Sequence, residues 1–493
     1  MNPVVETTRG RVRGAVVGGT AIFKGIPYAA APFGDLRFAA PEPAPKWDDV
    51  RDAAEFGPTA PKAAYGAPFD RFFEDPAIPG ENPLNLNVWT PGVDASLPVL
   101  VWIHGGAFVR GSSAVPLYDG ANFARDGVVF VSINYRLGAE GFALLSGAPA
   151  NRGLLDQVAA LEWVRDNIAA FGGNPEAVTI VGESAGGMSV GSLLAMPSAE
   201  GLFRRAIAQS GAGHSVMSAD TARKVSGALA EALDVEPTRA GLSTIDRDKL
   251  VEAQEALVAR IRGESDPAVW GEIPTHAMAF EPCIDGTVLP ELPIDRIAAG
   301  VSSDVDVLVG HNGDEMTLFL VPTGIADAVD DTMLPALAAS YGLTESAALD
   351  TYRAARPEAT PGEVLMHVVR DWMYRIPVVR VAEARSAFDA ATYVYRFDWK
   401  SPECDGRLGA THALDIGFVF DNLRVSGNSA LAGPNPPQDL AQRMHQAWVT
   451  FVTTGAPGWA PYGSARTEMV FGDTCATADD VEPDLRALWD GIR

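Results

Sequence analysis

The sequence predicts an α/β fold, a mostly parallel central sheet with helices on both faces. Two observations carry that reading. Short β-branched runs alternate with helical stretches through most of the chain, and the strand candidates are apolar almost without interruption. A strand apolar on both sides is buried on both faces, as an α/β layer arrangement requires. The candidates in order are 98–103, 128–134, 178–181, 205–209, 305–309 and 392–397. Between the second and third, residues 154–168 space their apolar side chains at helical period, and Gly172-Gly173 follows as a C-terminal stop. Residues 10–18 and 20–25 alternate around Gly18-Gly19, the pattern of a hairpin. Two helical stretches, about 219–263 and 325–390, interrupt the strand series. They read as insertions over one end of the sheet, within one domain spanning 1–493. Such excursions commonly wall a pocket.

Composition narrows the function classes. With 47% hydrophobic and 20% charged residues, the chain reads as soluble and globular. Its longest apolar run, Leu97 to Ile103, is of strand length, far from the ~20 residues of a bilayer span. The first ten residues lack the basic start and apolar stretch of a signal peptide. Cys283, Cys404 and Cys475 are odd in number and far apart, which fits a reducing cytoplasm better than a disulfide framework. Neither they nor the seven scattered histidines follow a metal-site spacing, so no metal or other cofactor is expected. A net charge of −25 disfavours nucleic acid and anionic membranes as partners.

The chemistry starts at Gly182-Glu183-Ser184-Ala185-Gly186, a Gly-x-Ser-x-Gly pentapeptide between strand 178–181 and a helical run from Ala185 to Met196. In such a nucleophile elbow the serine backbone is strained and its Oγ projects from the top of the sheet. Glycines two before and two after avoid collision across the turn. A serine nucleophile needs a base to take its proton and a carboxylate to orient that base. In α/β-hydrolases the order is Ser, acid, His. Among the downstream histidines, His412 lies in a loop that can reach back over the sheet edge, whereas His367 and His445 fall in helical patterns and read as packing or surface groups. Asp314 and Glu315, just past strand 305–309, and Asp398, at the end of 392–397, are the candidate acids.

The ordered motifs resemble the type-B carboxylesterases along essentially the whole chain. They are Phe23–Ala29, Asn85–Pro91, Trp102–Phe108, Asn134–Gly138, Gly153–Val158, Phe171–Pro175, Gly182–Gly187, Gln209–Gly211, Asp314-Glu315 with Phe319, and His412 with Phe418–Phe420. The resemblance implies an α/β-hydrolase fold with Ser184 as nucleophile, Glu315 as acid and His412 as base, leaving Asp314 a neighbour. It implies an oxyanion hole built from the N–H groups of Gly106, Ala107 and Ala185. Many members carry glycine where Ala107 stands, so its methyl should narrow that space. Glu183, Arg136 and Asp156 are expected in a buried polar network around the elbow, Ser210 as a hydrogen-bond partner of the acid, and Asp371 and Arg375 in a packing helix. Phe108, Met188, Met316, Phe319 and Trp372 either line the pocket or belong to the core; Met316 replaces the family's usual glycine.

The resulting expectation is a serine esterase acting through an acyl-enzyme on short- to medium-chain or aryl esters, as a monomer or homodimer. A lipase, a carbamate or amide hydrolase with the same triad, and a non-catalytic binding module are the alternatives.

Overall fold

In the computed structural model, which describes residues 2–493, an eleven-stranded sheet runs through the molecule. Its strands are β1 (Ala15–Val17), β2 (Thr20–Pro27), β3 (Asn85–Thr90), β4 (Leu97–Ile103), β5 (Val129–Ile133), β6 (Gly173–Glu183), β7 (Arg205–Gln209), β8 (Asp306–Asn312), β9 (Thr392–Phe397), β10 (Thr467–Phe471) and β11 (Ala476–Asp479). The spatial order is β11-β10-β9-β8-β7-β6-β4-β5-β3-β2-β1. The seven strands from β10 to β5 are parallel, and the pairs at either margin are antiparallel. This is the α/β-hydrolase arrangement that the strand pattern and the motifs foretell.

Strand β4 shows why the apolar runs are continuous. Val99, Val101 and Ile103 enter the core on one face of the sheet, with Val131, Ile180 and Leu161. Leu100 and Trp102 enter the core on the other face, with Phe130, Ile207 and Trp448. Successive side chains point to opposite faces, so burial on both sides leaves no room for polar alternation. Helix α1 (Arg152–Asn167) makes the crossover from β5 to β6, and Gly172 closes its extension at φ +81°. Helix α2 (Ala185–Leu193) leads from β6 to β7.

Strand order creates one topological switch point. From β4 the chain passes to β5 on one side, then crosses back through α1 to β6 on the other side of β4. The C-terminal ends of β4 and β6 therefore open a crevice, where ligands of such sheets bind.

The N-terminal strands, the sheet margins and the helical stretches differ from the sequence pattern. Residues 10–18 do not form one hairpin arm. Arg11–Arg13 pairs instead with Val4–Glu6 and Arg51–Asp52 in a separate three-stranded sheet, and only β1 pairs β2. The break is at Gly14, where a Cβ would lie 2.5 Å from the Ile22 carbonyl oxygen. Strands β3, β10 and β11 lie outside the six candidates; β11 is mostly exposed, so it lacks the apolar run on which those candidates rest. The stretch 219–263 forms α3 (Ala219–Ala232), a short turn of helix and α4 (Arg247–Glu264), whereas 325–390 holds several helices ending in α5 (Pro361–Arg370) and α6 (Ile376–Arg385).

Glycines at the elbow have no space for a side chain. A Cβ on Gly186 would lie 2.0 Å from the Ile103 carbonyl oxygen, whereas one on Gly227, in α3, meets nothing within 4 Å. Gly186→Ala is therefore expected to lower stability by about 1–3 kcal/mol or more, and Gly227→Ala to raise it by about 0.5–1 kcal/mol. Thermal unfolding of the two variants beside wild type checks both signs.

Candidate active site

Ser184 stands between β6 and α2 with φ +56° and ψ −124°, a conformation sparsely populated outside glycine. Two backbone hydrogen bonds hold it: Ser184 N–H to the Gln209 carbonyl at 2.9 Å, and Met188 N–H to the Ser184 carbonyl at 2.8 Å. Gly187 and Gly211 lie so close to β7 and the elbow that a Cβ on either would come within 2.7 Å of backbone oxygen. Strain at the serine is thus sustained by sheet on one side and helix on the other.

Beyond β4 the chain turns through Gly106 (φ +112°), Ala107 (φ +53°) and Phe108 (φ +60°). Val109 and Arg110 N–H both return to the Gly106 carbonyl, at 3.0 and 2.9 Å. No carbonyl of the described residues takes the Gly106, Ala107 or Ala185 N–H, and the last of these is the free first donor of α2. Behind the loop, His104 stacks on Tyr135 with ring centroids 4.5 Å apart, and its Nδ1–H donates to the Gly105 carbonyl. Burial pushes His104 down to about 4, so it remains a neutral, structural imidazole.

His412 comes from the loop after β9. Asp314 anchors that loop, accepting Ala410 N–H at 2.9 Å while its own N–H reaches the Ala410 carbonyl. His412 Nδ1 pairs with Glu315 Oε2 at 2.6 Å, and Glu315 Oε1 accepts Asn312 N–H at 2.8 Å. Both oxygens of this fully buried carboxylate are therefore oriented. Of the three candidate acids, Glu315 meets His412. Asp398 pairs with Arg396 at 2.9 Å, and Asp314 serves the loop backbone. His367 is half-buried and His445 buried, both away from this cluster; His445 bridges the Val419 carbonyl and Asp126.

The other nitrogen of His412 is where the structure and the sequence reading differ. Nε2 lies 3.3 Å from Glu183 Oε1 and is not hydrogen-bonded to Ser184 Oγ. Glu183 is thus part of the charge cluster itself. The Arg136–Asp156 pair, at 2.6 Å, instead ties the loop after β5 to α1. Ser210 is buried with an unpartnered hydroxyl, so the bond to the acid expected of it is not formed; Asn312 N–H serves that oxygen.

Three carboxyl groups crowd one imidazole. Asp415 receives Gln209, Asn312 and Tyr395 at 2.8, 3.2 and 3.0 Å, and burial followed by the charge of Glu315 raises its pKa. Burial alone disfavours charged His412, but the charges of Glu183 and Glu315 outweigh it and push the imidazole up to about 9. Burial likewise pushes Glu183 up to about 8, with His412 opposing. A protonated Glu183 lends no charge, so the two groups compete for one proton.

Aromatic rings enclose His412. Phe319 lies 5.3 Å away and Tyr374 5.1 Å away, centroid to centroid. Tyr374 stands in a π-helical turn, Asp371–Arg375, between α5 and α6. That turn is fastened by Asp371, which binds Arg370 and Tyr352 at 2.8 and 2.6 Å, and by Arg375, which donates to the Val481 carbonyl at 2.7 Å. No sequence signal marks a π-turn, and Tyr374 escapes the sequence reading for that reason. Trp372, from the same turn, packs against His276 and Tyr341 instead. Phe108 is fully buried against Phe142, Met188 lies buried on α2, and Met316 precedes the short helix that carries Phe319.

Fold and geometry together define a hydrolase of the α/β class, and comparison with known proteins narrows it. The sequence model of the carboxylesterase family matches residues 1–471. The chain is 37% identical to the para-nitrobenzyl esterase of Bacillus subtilis, over 97% of its length and 96% of the relative's. It is 38% identical to the phenmedipham hydrolase of Pseudarthrobacter oxydans, over 92% of its length and 90% of the relative's. The crystal structure of a Geobacillus stearothermophilus carboxylesterase superposes with a TM-score of 0.86 at 37% identity, covering 99% of each chain. The chain belongs to the carboxylesterase family and is a carboxylic ester hydrolase.

The role of base expected of His412 requires a neutral imidazole, so in that role kcat/KM should rise with pH along a limb set by His412. Glu183→Gln removes a negative charge beside the imidazolium and destabilises it. The limb should move to lower pH, by about one unit; a pH profile of kcat/KM for both enzymes checks the direction.

Proposed function

We propose that Ser184, His412 and Glu315 are the catalytic triad of this esterase, with Gly106, Ala107 and Ala185 as the oxyanion donors. The 2.6 Å contact of His412 Nδ1 with Glu315 carries the proposal. It orients an imidazole whose second nitrogen faces the elbow. Binding of an ester would draw Nε2 toward Ser184 Oγ, as catalytic contacts often tighten only with substrate. Oγ attacks the ester carbonyl carbon while His412 takes its proton, and the tetrahedral oxyanion is held by the three free N–H groups. The imidazolium then returns that proton to the departing alkoxide, leaving an acyl-serine. Water, deprotonated by His412, attacks the acyl carbon, and the proton passes to Ser184 as the acid leaves.

Short- to medium-chain and aryl esters are the proposed substrates, reached through a crevice walled partly by the helical stretch 325–390. Tyr374 supports that role for the stretch. A monomer or homodimer working in a reducing cytoplasm on a small molecule is the accompanying proposal, supported by three unbridged cysteines.

Hydrolysis of para-nitrophenyl esters across acyl lengths tests the reading. Activity should peak at short chains and fall by on the order of 10⁴-fold or more in Ser184→Ala, and an organophosphate should abolish it by modifying Ser184. Well-folded protein that turns over no ester would overturn the proposal. Ala107→Gly, which relieves a left-handed alanine beside the proposed hole, is expected to raise kcat/KM for branched esters relative to linear ones.

A further inference from the structure

A long segment without regular sheet or helix, apart from one turn at Phe69–Arg71, lies over the loop that follows β4. Its ends close on each other where Thr59 N–H meets the Ile78 carbonyl at 3.0 Å. Loops of this length in a compact protein usually have a task.

Inside the segment, Lys62 and Asp75 form an ion pair whose side chains are 2% and 4% exposed. Neither group faces the other alone. Asp75 Oδ2 accepts Gly111 N–H at 3.0 Å, and Lys62 Nζ donates to the Gly111 carbonyl at 2.8 Å. Both polar ends of one residue are thus gripped by the two halves of one buried pair.

Gly111 is in direct contact with the chain that leads into the proposed oxyanion hole. It adopts φ +89°, and a Cβ there would lie 2.4 Å from the Gly105 carbonyl oxygen and 2.6 Å from His104 Nδ1. A Cβ on Gly106 would in turn lie 2.2 Å from the Arg110 carbonyl oxygen and 3.0 Å from Gly111 N. Packing this close transmits displacement without slack. The neighbouring Arg110 is held by the same segment, lying over the Tyr65 ring at 5.5 Å, and by an ion pair to Glu255. At its tip, Phe69 lies 6.3 Å from Phe319, which covers His412.

We infer that Lys62 and Asp75 are positioning residues for ester hydrolysis: their ion pair clamps Gly111 and so holds the Gly106 and Ala107 N–H groups in register with the oxyanion. The inference rests on the esterase reading above. Neither side chain touches substrate. Their contribution belongs to the tetrahedral state, because misplaced donors weaken the oxyanion more than the trigonal ester.

The test uses Lys62→Met, Asp75→Leu and the double variant, with thermal unfolding recorded for each. Removing one partner strands a buried charge, so the single variants are expected to melt well below wild type; the double replaces the pair by apolar groups and is expected to melt near wild type. Two matched inhibitors separate positioning from general damage. A trifluoromethyl ketone forms a tetrahedral oxyanion with the serine, and the corresponding methyl ketone binds largely as the trigonal carbonyl. In the folded double variant, kcat/KM for para-nitrophenyl butyrate and trifluoromethyl ketone affinity should fall together by about 10- to 100-fold, with methyl ketone affinity held within about twofold. Wild-type kcat/KM in the double variant would overturn the clamp, as would equal losses for both ketones. Should the double variant not fold, the near-isosteric Asp75→Asn carries the same comparison, and unchanged kcat/KM there is equally fatal. Wild type that hydrolyses no ester would instead sink the esterase reading, and the clamp with it.

Discussion

The backbone of Ser184 is the constraint around which the molecule is arranged. A non-glycine residue at φ +56° costs of order 1–3 kcal/mol and persists only where its surroundings leave no relaxed alternative. Here β6 arrives between β4 and β7, α2 departs immediately, and backbone from β4 and β7 closes on the turn. Gly186 packs on the end of β4 and Gly187 on the end of β7, each without room for a methyl. The strained turn is the place where two strands and a helix come within van der Waals contact of one another. Relaxing it would require separating them.

Electrostatics follows from that geometry. A sheet buried on both faces leaves its C-terminal edge as the place where polar groups gather, and here the edge holds Glu183, Glu315 and Asp415 around His412. Burial raises the cost of every negative charge, whereas the single imidazolium lowers it. The balance raises the pKa of His412, with Glu315 oriented by both the imidazole and Asn312 N–H. Asp415 is supported by three neutral donors, Gln209, Asn312 and Tyr395, and so leaves the imidazole to the two glutamates. Gln209 also accepts from Trp448, which joins this polar edge to the apolar core beneath.

Much of this was legible in the chain. Continuous apolar runs gave five of the central strands within a few residues of their ends. Their order, with Gly182–Gly186 between a strand and a helix, located the elbow. His412 stood out because it lies in a loop after a strand and ahead of an apolar turn. Choosing among Asp314, Glu315 and Asp398 was beyond local pattern: all three lie at strand ends, and which one faces the imidazole depends on how two loops meet. The Ser210 expectation failed for a related reason. Its hydroxyl sits near the site in sequence, but a backbone N–H from Asn312 occupies the acid's second oxygen.

Local regularities, then, were determined by sequence alone: six of the central strands, the helical stretches between them, where glycine must stand at the elbow, and which residue types could carry acyl chemistry. These depend on interactions between residues a few positions apart, and those leave a periodic trace. Tertiary structure alone decided that Glu183 faces the second nitrogen of the imidazole, that a π-turn fastened by Asp371 and Arg375 lays Tyr374 against His412, and that Lys62 and Asp75 meet on Gly111. Each of these joins residues from separate segments of the chain. The free energy of such contacts arises from burial and charge proximity after the chain has closed on itself, and no spacing along the sequence records it.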